Sequence, residues 1–102
     1  MLLIATLRSA PGREAELEAA LRTLVAPTAN EPGVLEYRLN RSRTEPGTYR
    51  FIERFADQAA LDAHMAAPHV QSVFARFDAL LDGPPEIDML DPLDGFHRPD
   101  RA

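Results

Sequence analysis

The stretch VLEYRLNRSRTEPGTYRFIERFADQAALDAH, residues 34–64, contains two alternating segments separated by a turn and followed by the start of a helix. In 34–41 and in 48–56, apolar or aromatic side chains recur at every second position, which is typical of strands with one buried face. The Pro-Gly turn between these segments predicts an antiparallel hairpin. The alternation places Leu35, Tyr37 and Leu39 on one face of the first strand, and Tyr49, Phe51, Glu53 and Phe55 on one face of the second strand.

The segments on either side complete a recognisable order of elements. Asp57 fits the N-cap of a helix, because its side chain can accept a hydrogen bond from the first free backbone N–H groups. The other predicted elements are a strand at 2–8, a helix at 13–26, a helix interrupted by Pro68 at 58–66 and 69–81, and a strand at 86–91. The order is β-α-β-β-α-β, which predicts an α+β, ferredoxin-like fold with an antiparallel sheet.

One face of such a sheet is covered by helices and the other is left open. The open face is not uniformly polar here, because depending on the pairing it carries either the aromatic residues or Ile52 and Val34. A partly apolar open sheet in a chain of 102 residues predicts that a second sheet covers it. We therefore expect a homodimer in which two sheets pack face to face.

Composition excludes several classes of function. The net charge is −5 with no basic stripe, which argues against nucleic acid as a partner. The absence of Cys excludes disulfides, thiolate nucleophiles and Cys-ligated metals. The apolar runs are too short to span a membrane, and the first residues resemble a strand more than a signal peptide. A cytoplasmic location with no membrane partner is the expectation.

Two segments, EPGVLEYRL at 31–39 and YRFIERFADQAALDAHMAAPHVQSVF at 49–74, together resemble the antibiotic biosynthesis monooxygenase superfamily. The shared pattern is a Glu-Pro-Gly turn before a strand Tyr, then a strand carrying Glu, an Asp-capped Ala-rich helix with His, and a second Pro-His. The resemblance extends over about residues 2–92. It implies one domain at 1–92, followed by a C-terminal tail at 93–102.

The resemblance implies a dimeric α/β barrel made of two ferredoxin-like subunits. Members include cofactor-independent monooxygenases of phenols, quinols and polycyclic aromatics, haem-degrading enzymes, and enzymes that process small carbonyl signals. The absence of Trp disfavours haem degradation. The expected function is therefore monooxygenation of a small aromatic molecule by O2 without a cofactor. The alternatives are a non-catalytic dimer that binds a small molecule, and an isomerase or lyase of a small carbonyl compound.

His64 and Glu53 are the first two candidate catalytic residues. His64 lies near the end of a helix, where it could relay a proton in a pocket between helices and sheet. Glu53 lies on an aromatic strand face, where burial would raise its pKa unless a cation paired with it. Either residue could instead be structural, with Glu53 serving as a partner of His64 or of an Arg. We expect the two side chains to border one cavity.

The remaining candidates come from the resemblance and from the predicted walls of the cavity. The resemblance implies that Asn30 helps to hold a substrate oxygen, although Asn30 is equally a turn residue. Tyr37, Phe55 and Phe74 are the candidate substrate-binding residues, and core packing is the alternative for each. No metal site is predicted, because His64 and His69 lie five residues apart across Pro68 and lack the i, i+4 spacing of a helical pair.

Overall fold

The computed structural model describes residues 1–100. It contains four strands and five helices in that range. The strands are β1 (Leu2–Arg8), β2 (Val34–Arg41), β3 (Thr48–Phe55) and β4 (Glu86–Leu90). The helices are α1 (Glu14–Arg22), α2 (Val25–Thr28), α3 (Gln58–Ala66), α4 (Pro68–Phe74) and α5 (Phe77–Leu80). The strands form one four-stranded sheet in the order β2-β3-β1-β4, and every neighbouring pair is antiparallel. The predicted ferredoxin-like α+β fold is confirmed.

The central strands set the inner face of the sheet. Leu3 of β1 lies opposite Glu53 of β3, Ala5 lies opposite Phe51, and Leu7 lies opposite Tyr49, so these side chains share a face. The apolar residues among them are buried with side chains from the helices, and the fully buried members of this core include Phe55, Leu17, Leu21 and Leu80. The helices therefore cover the face that carries the aromatic residues, which settles the choice between the two faces that the sequence left open.

The helices are shorter than the sequence indicated. The first was predicted to run to residue 26, but α1 ends at Arg22 and Pro27 lies within the separate single turn α2. The N–H groups of Thr23 and Leu24 bond to carbonyls three residues back, at 3.2 and 3.1 Å, and this tighter turn ends the α-helical pattern. The predicted helix at 69–81 is likewise divided into α4 and α5.

The prediction for Leu35 was wrong because the pairing of β2 with β3 is irregular. Val34 lies opposite Phe55 and Glu36 opposite Arg54, so the register shifts at this point and Leu35 is the extra residue. Beyond this β-bulge, Tyr37 lies opposite Glu53 and shares its face. Val34 consequently packs against the core, whereas Leu35 is 55% exposed.

The outer face of the sheet carries apolar side chains among charged ones. Ile4 of β1 lies opposite Ile52 of β3, while Leu2 lies between Arg54 and Leu90 on its two neighbouring strands. Ile4, Ile52, Leu2 and Leu90 are half-buried.

Two further expectations concern the membrane and the tail. Within residues 1–100, no helix has both the length and the apolar character that crossing a membrane requires. The predicted tail at 93–102 includes residues 101–102, which lie outside the described residues, and its described part contains no helix or strand. The boundary at residue 92 stays a prediction.

Candidate functional site

A cavity of about 510 Å³ lies between the inner face of the sheet and helices α3, α4 and α5. Its wall is mainly apolar, with Leu3, Phe51, Leu61, Val70 and Phe74 among the lining residues. Ile87 and Met89 of β4 also line it and are half exposed, so the cavity reaches the surface along this edge strand. A volume of this size can hold a small organic molecule.

The ionisable groups of the cavity wall are Tyr37, Glu53 and His64. Tyr37 and Glu53 project from directly paired positions of β2 and β3, and His64 comes from the last turn of α3. The α3 helix is positioned at its start by Asp57, whose carboxylate accepts the N–H of Ala60 at 2.8 Å as predicted. The sheet thus supplies the acid and the phenol, and the helix end supplies the imidazole.

His64 contacts two carboxylates through its two ring nitrogens. Its Nδ1 lies 2.9 Å from Oε2 of Glu31, and its Nε2 lies 3.8 Å from Oε1 of Glu53. The first distance is a hydrogen bond and the second is too long to be one. When Glu31 is ionised it can only accept, so it fixes the proton of neutral His64 on Nδ1. The unprotonated Nε2 then lies on the side of Glu53.

Glu31 also holds a second histidine. Nε2 of His69 lies 3.0 Å from the same Oε2 of Glu31, and 3.2 Å from the hydroxyl of Thr28. His69 is the second residue of α4, directly after Pro68. One carboxylate oxygen therefore joins the ends of two successive helices to the turn before β2.

Burial controls the protonation of the two other ionisable groups. Glu53 is 6% exposed, and its desolvation raises its pKa to about 7, with a smaller contribution from the negative charge of Glu31. Near neutral pH both the acid and its conjugate base are populated. Burial also raises the pKa of Tyr37, and the charge of Glu53 adds to this effect, so Tyr37 remains a neutral phenol.

The structure brings most of the predicted site residues together. Glu53, His64, Tyr37 and Phe74 line the cavity. Phe55, predicted as a wall residue, does not line the cavity, because it is fully buried in the core with its ring centroid 5.5 Å from that of His64. Asn30 lies elsewhere, because it is exposed and is not among the lining residues.

Glu31 and His69, which are joined to His64 in one hydrogen-bonded cluster, were not among the site residues predicted from the sequence. Glu31 is adjacent to Asn30 in a Glu-Pro-Gly turn, and both residue types are ordinary in turns. Only the backbone conformation of the turn decides that the Glu side chain points at His64. His69 was considered for its spacing from His64 in a helix, but the chain changes direction at Pro68 between α3 and α4. The sequence signal for both was the pair of motifs, Glu-Pro-Gly and Pro-His, rather than any periodicity.

Comparisons with solved structures agree with this fold. The chain is 39% identical to PA3566 from Pseudomonas aeruginosa, with a TM-score of 0.86 over 91% of this chain and 93% of that one. It is 32% identical to Rv0793 from Mycobacterium tuberculosis, with a TM-score of 0.86 over 92% and 95% of the two chains. It is 36% identical to a putative antibiotic biosynthesis monooxygenase from Caulobacter crescentus, with a TM-score of 0.84 over 91% and 89%.

Sequence comparisons identify the family. The chain is 31% identical over 77 residues to the uncharacterized protein sll1783 of Synechocystis. The aligned residues make up 76% of this chain and 52% of that protein. The chain thus spans about half the length of this curated relative. A model of the antibiotic biosynthesis monooxygenase family matches residues 1–76, which include Glu31, Glu53, His64 and His69. The chain therefore belongs to the antibiotic biosynthesis monooxygenase family.

Proposed function

We propose that the protein is a cofactor-independent monooxygenase of a small electron-rich aromatic molecule such as a phenol or quinol. The observation that carries the proposal is the apolar cavity of about 510 Å³ with Glu53 and His64 in its wall, 3.8 Å apart. An apolar wall suits an aromatic ring, and the ionisable pair suits its hydroxyl group. Family membership supports the same class of reaction.

The first step of the proposed reaction is removal of a proton from the substrate hydroxyl, and oxidation by O2 follows it. In the proposed step, Nε2 of His64 accepts the substrate hydroxyl proton, while Glu31 stabilises the resulting imidazolium through Nδ1. The phenolate transfers an electron to O2, and the two radicals combine to form a carbon–oxygen bond. The peroxide O–O bond then breaks, and a second substrate hydrogen and the relayed proton leave in water. A dihydroxynaphthalene and O2 thus give a hydroxynaphthoquinone and H2O.

The chain's own residues supply position and charge in this scheme. Tyr37 stacks on Phe51 with ring centroids 4.7 Å apart, and this aromatic pair forms part of the wall against which a substrate ring would lie. Glu53, with its pKa about 7, can return a proton to the peroxide oxygen. Asn30 is not assigned a role, because it lies away from the cavity lining.

Oxygen uptake with a panel of dihydroxynaphthalenes tests the proposal. We expect uptake above the rate of spontaneous oxidation, with one O2 consumed per quinone formed, and at least tenfold slower turnover in His64→Gln because general base catalysis is lost. Conversion that persists without oxygen would instead indicate an isomerase or lyase. Thermal stabilisation by the panel without turnover would indicate a binding protein. Either result would overturn the oxygenase proposal.

A homodimer is part of the proposal, and the outer face of the sheet supports it. Ile4 and Ile52 are directly paired there, with Leu2 and Leu90 nearby, and these four side chains lie outside the core that packs against the helices. A second copy of the same face would bury these side chains. We expect light scattering to give the mass of a dimer for the natural chain and of a monomer for Ile52→Glu. Leu93→Glu, at an exposed tail position, is the control and should stay dimeric.

A further inference from the structure

We propose that Glu31, His64 and His69 form a binding site for a divalent transition-metal ion such as Zn²⁺. Each of the three offers one donor atom, and these atoms all lie within 4.8 Å of one another. Oε2 of Glu31 is 2.9 Å from Nδ1 of His64 and 3.0 Å from Nε2 of His69. The inference goes beyond the proposed oxygenase and does not require it.

The donors are held by three separate parts of the fold. The turn that carries Glu31 is fixed by two backbone hydrogen bonds, from its N–H to Thr28 at 2.9 Å and to its carbonyl from Val34 at 3.0 Å. His64 lies in the last turn of α3 and is 3% exposed, while His69 is the second residue of α4. A site assembled from already packed elements needs little ordering when the ion binds.

The spacing of the donors suits a small transition-metal ion. Zn²⁺ binds imidazole nitrogen and carboxylate oxygen at about 2.0–2.2 Å, so neighbouring donors in tetrahedral or octahedral sites lie roughly 3.0–3.5 Å apart. The two distances from Glu31 are already close to this range. Binding requires the ring protons of His64 and His69 to move from the coordinating nitrogens to the other nitrogen of each ring. The two coordinating nitrogens, at most 4.8 Å apart, must also approach one another.

The types of donor select the class of metal. Two imidazoles and one carboxylate suit Zn²⁺, Fe²⁺, Co²⁺ or Ni²⁺, whereas Mg²⁺ and Ca²⁺ prefer oxygen donors alone. The sequence disfavoured a metal site because it has no Cys and because its two helical histidines lack the i, i+4 spacing of one helix. The break between α3 and α4 at Pro68 makes that spacing irrelevant, because the two imidazoles meet across a change in chain direction.

The position of Glu53 beside His64 also fits a metal site. A histidine that binds a metal through one ring nitrogen commonly directs the N–H of the other to a carboxylate, which orients the ring. Here Nδ1 would bind the ion, and Nε2 lies 3.8 Å from Oε1 of Glu53. A small movement of either side chain would complete this hydrogen bond.

Ion binding would change what His64 can do in the cavity. With Nδ1 bound to a metal, the proton of the neutral ring must be on Nε2, so His64 can donate to a substrate but cannot accept its proton. If the proposed oxygenase chemistry holds, the ion should therefore inhibit turnover. This consequence rests on the proposed function, while binding itself does not.

Equilibrium dialysis of tag-free protein against ZnCl2, with metal analysis, tests the site. We expect one equivalent of Zn²⁺ per chain and at least tenfold weaker binding in Glu31→Gln and in His69→Gln. His97→Gln removes the third imidazole of the chain, which is exposed in the tail, and should bind like the natural protein. Co²⁺ substitution, with visible absorption bands that depend on the ligands, checks that the cluster supplies them.

Three outcomes would overturn the site. These are no Zn²⁺ bound by the natural protein at micromolar concentrations, unchanged affinity in His69→Gln, or loss of binding in His97→Gln. His69 is partly exposed, so its substitution tests the site even if Glu31→Gln disturbs folding. Circular dichroism of each variant distinguishes the loss of a metal ligand from a loss of folded structure. Because the readout is bound metal, the result is independent of whether the oxygen-uptake experiment succeeds.

Discussion

Replacing Glu53 with Gln should remove a pH-dependent loss of stability of about 3 kcal/mol between pH 4.5 and 7, because burial raises the pKa of this carboxyl from 4.5 to about 7. In that window the unfolded chain releases the proton while the folded chain retains it. The folded state therefore binds more protons, and the free energy of unfolding falls as the pH rises. Below pH 4.5 the carboxyl is protonated in both states, and it is ionised in both well above pH 7.

Urea unfolding at pH 5 and pH 8, at one protein concentration, measures this effect. The natural protein should lose more of its free energy of unfolding between the two pH values than Glu53→Gln, by about 2–3 kcal/mol. Near pH 5 the two proteins should differ by less than about 1 kcal/mol, because Gln resembles the protonated acid. If the free energy of unfolding depended equally on pH in the natural protein and in Glu53→Gln, burial of the Glu53 carboxylate would not be the source of the pH dependence.

Two further variants identify the cause of the shift. Glu86→Gln removes an exposed carboxylate from β4 and measures the general effect of losing a surface negative charge. Glu31→Gln removes the second cause of the raised pKa and should make the pH dependence smaller without abolishing it. A complete loss in Glu31→Gln would assign the shift to repulsion between carboxylates instead of burial.

The fold could be predicted because its signals are local and repeated. Alternation in β2 and β3, the Asp57 cap and the Pro-Gly turns each specify one element, and the antiparallel order follows from their sequence. The burial of Leu35 could not be predicted in this way, because a β-bulge shifts the strand register by one residue and the alternating pattern gives no sign of it. Whether such a residue is buried depends on the pairing of two strands, which a single segment does not contain.

The candidate site was predictable only where a side chain projects from a regular element. Glu53 and His64 lie on a strand and a helix, so their faces follow from periodicity, and both line the cavity. Asn30 and Glu31 lie in a turn, where adjacent side chains point in unrelated directions. The contact of Glu31 with His64, at 2.9 Å, joins residues 33 positions apart and depends on how closely the turn approaches α3.

Gly33 allows the turn that carries Glu31 to lie close to α3, and its substitution is expected to have a large effect on stability. A Cβ at position 33 would lie 2.5 Å from Cβ of Ala60, a contact that carbon atoms cannot make without movement of the backbone. Gly33 does not have a positive φ, so the restriction is steric and not conformational. Ala60 lies one turn before His64, and Gly33 lies two residues after Glu31. The same close contact therefore brings the imidazole to its carboxylate.

Gly33→Ala should lower the free energy of unfolding by about 1–3 kcal/mol through overpacking, measured by urea unfolding. Ala60→Gly alone should cost up to about 1 kcal/mol through helix propensity. Because Ala60→Gly removes the methyl group that would clash, the double variant Gly33→Ala/Ala60→Gly should lose less free energy of unfolding than the two single variants lose together. Ala59→Gly, at the exposed neighbouring position of α3, is the matched control and should combine additively with Gly33→Ala. Additivity at both positions would show that the turn and the helix are not held by this contact.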